Sequence, residues 1–165
     1  MSGCDFITNC AATAVLAAGV IATAFGTAGT GPAYAQQAPR IIELTQTGCQ
    51  FIESEGGVDH GFQTGSAADC AAINEQSGAE RVADAAPLRL EPGKYIFRVT
   101  NKNVPYELGF WLRGQGFSRV TLPSTSGGGL TEGVTRDYEI ELTEGEYLYS
   151  CPLNPTPDYH LIVEG

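Results

Sequence analysis

Cys151 closes an apolar run, heads the short segment Pro152-Leu153-Asn154-Pro155-Thr156-Pro157, and is followed by a last apolar stretch from Tyr159 to Val163. A thiol at such a place has three chemistries open to it. It is a soft metal ligand if imidazoles converge on it, a nucleophile if a base or positive charge lowers its pKa, and otherwise a small buried apolar group. No activating base or cation stands near Cys151 in sequence, and burial ranks first. A second constellation is Glu53, Glu55, Asp59 and His60. Oxygen donors with one imidazole suit a hard cation or a His-anchored divalent metal, copper or iron here, although acids in a loop are most often simply solvated. His160 with Asp158 or Glu164 is a weaker third. The chain has two His, and its single Met is Met1, so neither a Ser-His-acid triad nor a His-rich metal centre can be assembled with recognisable context. Gly127-Gly128-Gly129 lacks the Lys and following helix of a phosphate loop. An enzyme is therefore not expected.

Charge narrows the partners. Nine Lys and Arg stand against nineteen Asp and Glu, a formal net charge of −10, so nucleic acid and anionic lipid should be repelled while a cationic partner or a metal ion is compatible. At 165 residues, 42% hydrophobic and 17% charged, the chain suits one soluble domain plus a dispensable segment. Residues 6–39 carry no charge, 11–28 are mostly small and apolar, and Ala33-Tyr34-Ala35 has the small-x-small form that a signal peptidase reads. Residues 1–35 are thus expected to be an export signal, leaving 36–165 as the mature chain in the periplasm or another exported location. A retained anchor is the alternative, and the one route to a membrane. Export would leave Cys49, Cys70 and Cys151 where disulfides persist. Of three pairings, Cys49 with Cys70 is favoured, since both lie in one irregular segment and closing that loop stabilises by roughly 3 kcal/mol.

Most of the mature region reads as strand. Period-2 alternation appears at Tyr95, Phe97 and Val99, at Leu108, Phe110 and Leu112, and at Tyr138, Ile140 and Leu142. Further strands are expected over 41–46, 87–91, 119–122, 147–151 and 159–163, with 124–129 a Ser/Gly-rich loop. Trp111 alternates out of phase with Phe110 and Leu112, which predicts a surface position. About eight short strands with frequent turns imply an all-β sandwich. Residues 48–86 break the pattern and read as an insertion, with Ser66 capping a helix over Ala67–Asn74 and Gly78 as its terminator.

Two segments bear a family resemblance. Phe97 to Tyr106, with Asn101 and Pro105, resembles the strand and loop that bring the first His ligand in the cupredoxins, and Tyr106 stands in that ligand's place. Gly145 to Pro157 resembles the family's Cys-x-x-His-x-x-Met loop, with Cys151 retained, Asn154 in place of the second His and Pro157 in place of Met. The resemblance implies a Greek-key sandwich of cupredoxin type over roughly residues 87–164, with residues 41–46 as its first strand. It also implies that Tyr106, Cys151, Asn154 and Pro157 are relic ligand positions. A blue-copper centre needs two imidazoles and a thiolate, and no cofactor is expected. The replaced positions are read either as a hydrogen-bonded structural cluster, Tyr106 to Asn154 with Cys151 beneath, or as a recognition patch. The functional expectation is an exported binding domain for an unidentified protein partner. The alternative is a metal protein, with copper at Cys151 for electron transfer or copper or iron held by the insertion.

Overall fold

The computed structural model describes residues 38–165; the export signal expected over 1–35, with Cys4 and Cys10, lies outside the described residues. Among the described residues, nine strands form two sheets. The first has the order β2 (Gln50–Phe51), β1 (Arg40–Thr47), β4 (Gly93–Asn101), β7 (Thr135–Leu142). The second has the order β3 (Leu88–Leu90), β9 (Tyr159–Val163), β8 (Gly145–Ser150), β5 (Leu108–Gly114), β6 (Thr125–Leu130). β1 runs parallel to β4 and β3 parallel to β9, and the other pairs are antiparallel. The chain crosses between sheets after β2, β3, β4, β6 and β7, in keeping with the Greek-key sandwich that the resemblance implied.

Alternation decides which side chains meet. Tyr95, Phe97 and Val99 of β4, Tyr138, Ile140 and Leu142 of β7, and Tyr159, Leu161 and Val163 of β9 are buried, and their neighbours in sequence are not. Aromatic rings dominate the interior: Phe51 meets Phe110, Tyr149 and Tyr159 edge-on at centroid distances of 6.1, 5.7 and 5.8 Å. The outer face of the first sheet is polar in rows, Glu43–Arg98–Asp137 and Thr45–Thr100–Thr135. Trp111 is half-buried, with the Arg113 guanidinium 4.0 Å and that of Arg119 5.1 Å from its ring centroid.

Three local expectations need correction. The helix α1 spans Ala67–Asp84, so Gly78 lies inside it rather than ending it. A helical glycine is tolerated because tertiary packing outweighs its propensity: a Cβ there would lie 3.2 Å from Asn74 Cβ and 3.7 Å from Pro157 Cγ. Ser66 does cap the helix, and Asp69 Oδ2 accepts hydrogen bonds from the N–H groups of Gly65 and Ser66 at 2.9 Å. Residues Gly116–Val120 form a 3-10 turn, not the strand expected over 119–122. The Ser/Gly-rich segment is the strand β6, not a loop. Its glycines admit other side chains onto the backbone, since a Cβ would come within 2.9 Å of Tyr138 at Gly127 and within 2.8 Å of Glu107 at Gly128 and of Arg136 at Gly129. Within residues 48–86, Gln50 and Phe51 pair with β1 and Phe51 is fully buried.

Candidate functional site

The sandwich presents at one end the loop after β4, the loop between β8 and β9, and the insertion. Asn101 positions the first: its Nδ2 donates to Val104 O and Leu130 O at 3.0 Å each, and its Oδ1 accepts from Val104 N at 2.9 Å. That clip sets Pro105 and Tyr106 above the sheets. Cys151 sits beneath, buried at the end of β8, where its Sγ accepts the main-chain N–H groups of Gly109 and Asn154 at 3.2 Å. The Tyr106 hydroxyl donates to Asn154 Oδ1 at 2.8 Å, and Asn154 Nδ2 donates to Thr47 O at 3.2 Å. Tyr106 and Asn154 are thus hydrogen-bonded to each other with Cys151 beneath them.

The insertion lies over these residues and leaves Tyr106 and Pro157 half-buried. Cys49 and Cys70 are disulfide-bonded, and the Cys70 sulfur lies 2.8 Å from Asn154 Oδ1 and 3.8 Å from the Tyr106 hydroxyl. Asn74 of α1 donates to Pro155 O, and Gly78 packs on Pro157. Asn154 is fully buried, Cys151 is 1% exposed, and Pro157 is half-buried under the helix. Neither the extent of α1 nor its seat on this loop was legible from the spacing of residues 66–86.

The acidic constellation is divided: Glu55 and His60 meet, while Glu53 and Asp59 bond elsewhere. Glu53 accepts the Thr45 N–H at 2.6 Å. Asp59 accepts the Gly61 N–H at 2.9 Å and stands 3.3 Å from Lys102 Nζ. The Glu55 side chain is 5% exposed and grips Arg81, whose Nη2 and Nε reach it at 2.7 and 3.0 Å. His60 Nε2 lies 2.6 Å away, and Tyr159 donates to the same carboxylate. Burial pushes the Glu55 carboxyl up, but Arg81, Tyr159 and His60 more than offset this and hold it below the usual range. Arg81 further donates to Cys49 O and Asn74 Oδ1 at 2.9 and 2.8 Å. Among the described residues, no three His, Cys, Asp or Glu side chains are grouped to hold a metal ion.

Copper as the resemblance implies it does not fit these residues. The end holds one thiol, and the phenol and amide beside it are bound to each other. His60 is engaged by Glu55, and His160 lies on the face of β9 away from the buried Leu161. Two buried oxygens nearby without a partner, Gln46 Oε1 and Thr47 Oγ1, are neutral hard donors and do not replace two imidazoles. Burial pushes the Cys151 thiol up, only partly offset by the N–H groups pointing at its sulfur. Cys151 should therefore stay unlabelled by a thiol reagent at neutral pH in the native chain and label stoichiometrically in denaturant, as peptide mapping would show.

No protein-family model and no curated protein matches the chain. Among solved structures it is similar to auracyanin B, at 12% identity over 78% of this chain and 92% of that one, with a TM-score of 0.49. It is also similar to a multi-copper oxidase from Pediococcus acidilactici, at 9% identity over 79% of this chain and 27% of the oxidase, with a TM-score of 0.38. At these identities neither says which residues of this chain act. The chain has the two-sheet sandwich that the resemblance implied, with Cys151 at the start of the loop between its last two strands. No helix among the described residues is long and apolar enough to cross a membrane.

Proposed function

We propose that this chain is an exported cupredoxin-like binding domain, one that engages a protein partner through a surface other than its relic metal end. The observation that carries this reading is the closure of that end. Among the described residues, Tyr106, Asn154 and Cys151 are bonded to one another or to the main chain beneath a disulfide and a helix, which leaves the relic ligand positions engaged. The disulfide also suits an oxidising compartment.

Metal loading tests it. The purified chain incubated with one equivalent of Cu(II) should show no intense thiolate-to-copper band and no stoichiometric copper after desalting. A strong visible band abolished by Cys151→Ser would establish the electron-carrier alternative instead. Stoichiometric metal lost only with His60→Ala would move the function to the insertion.

A further inference from the structure

The sandwich has one long edge strand beside an open space. Among the described residues, β7 pairs with β4 on one side and with no strand on the other. The turn before it fixes which main-chain groups are free. Gly133, at φ 75°, makes a one-residue bulge in which its N–H donates to Asn101 O at 2.8 Å and Asn101 N donates to Val134 O at 3.0 Å. From Val134 onward, alternate residues face β4, so Arg136, Tyr138, Ile140 and Leu142 bond to it. Thr135, Asp137, Glu139 and Glu141 turn their N–H and C=O groups outward. Among the described residues, no hydrogen bond takes up these groups of Asp137, Glu139 or Glu141.

The other wall of this space is β6, and that wall is already capped. The Arg136 Nε donates to Gly129 O at 2.9 Å, the Tyr138 hydroxyl donates to Gly127 O at 3.4 Å, and the Gly129 N–H donates to Glu107 at 2.6 Å. Between the walls lies an open cleft of about 700 Å³, lined from Thr125 to Gly128 and from Thr135 to Glu139. A free strand edge beside such a cleft is the geometry that accepts an added strand.

Charge selects the occupant. The side chains at the outward-bonding positions are Asp137, Glu139 and Glu141. Arg98 neutralises Asp137 through two bonds of 2.8 Å, and Arg136 is turned onto β6. Glu139 and Glu141 are exposed and make no hydrogen bond or ion pair among the described residues; Glu139 has Ile96 opposite it and Glu141 has Lys94. A second copy paired edge to edge would set these acids against each other, in a chain of net charge −10. We infer that β7 receives an extended basic peptide as an added strand, with Lys or Arg at alternate positions opposite Glu139 and Glu141. This inference rests on the binding-domain reading and gives it a surface and a partner class.

The test uses the full chain and a nonapeptide of alternating Thr and Lys. Binding at low salt should slow amide exchange at Asp137, Glu139 and Glu141 and leave the Cys151 end unchanged. The Glu139→Lys/Glu141→Lys double variant should bind at least about tenfold more weakly. The Thr/Glu counterpart should not bind, nor should the Thr/Lys peptide N-methylated at alternate residues, which cannot form the ladder. Equal binding by the N-methylated peptide, protection elsewhere, or no binding at millimolar peptide would overturn the β7 site. Protection of the same amides through concentration-dependent self-association would overturn it in favour of a second copy. None of these failures produces the copper band that would overturn the binding-domain reading, so the two are separable.

Discussion

Glu55→Gln should destabilise the domain by about 3–5 kcal/mol, the range found when one partner of a buried ion pair is removed and the other charge is left uncompensated. Arg81 is 8% exposed and is held by Glu55 through three contacts of 3.2 Å or less. A neutral amide in place of the carboxylate leaves the guanidinium buried with Cys49 O and Asn74 Oδ1 as acceptors. It also changes the partner of Tyr159, a core residue of β9. Urea unfolding at neutral pH measures the loss. The paired Glu55→Leu/Arg81→Met variant should recover much of it, because replacing both charges with apolar groups removes the desolvation penalty along with the attraction. If the double variant is as unstable as Glu55→Gln, the cost lies in the hydrogen bonds from Tyr159 and His60 rather than in the stranded charge.

The same residue predicts a pH dependence. The folded carboxyl of Glu55 lies below its usual range, so the unfolded chain binds its proton first as pH falls. Its stabilisation is therefore complete above the unfolded value of about 4.3 and drains away as pH falls through the lower folded value. Wild type should lose stability more steeply than Glu55→Gln below about pH 5, and the two curves should converge toward acid. Parallel curves would show that Glu55 is not held ionised by its neighbours.

Much of the framework is legible because its signals are local or repeat at period 2. The alternation of Tyr95, Phe97 and Val99 in β4 and of Tyr138, Ile140 and Leu142 in β7 gives both the strands and their buried faces. The Ser66 cap is legible for the same reason, as is the Cys49–Cys70 pairing within one irregular segment. What was missed depends on partners distant in sequence. Gly78 continues the helix because Pro157 packs against it, and Gly127 to Gly129 form a strand because Tyr138, Glu107 and Arg136 arrive from elsewhere to fill the missing Cβ positions. Glu55 lies in a segment that resembles a solvated acidic loop until α1 delivers Arg81, 26 residues on. The Tyr106 to Asn154 bond was readable from the loop pattern. The cover over it was not, since no local feature of residues 66–84 says which face of the sandwich the helix meets.

Removing the disulfide should cost about 3 kcal/mol, from the entropy of a loop with a sequence separation of 21. The variant to use is Cys49→Ala/Cys70→Ala in a Cys151→Ser background, so that no new bridge can form. Its denaturant slope should exceed that of Cys151→Ser alone, because an unfolded chain without the cross-link exposes more surface. The loss should also concentrate at the relic metal end. The Cys70 sulfur fills the space against Asn154 and Tyr106, and both cysteines are fully buried, so an alanine pair leaves a gap where the cover meets the loop. Amide exchange at Gly109 and Asn154, whose N–H groups point at residue 151, should speed up more than exchange in β4. A loss below about 1 kcal/mol, far short of the chain-entropy value, would mean that the Arg81–Glu55 pair and the bond from Asn74 to Pro155 already hold α1 in place. In that case the disulfide would act on the unfolded chain far less than its loop length implies.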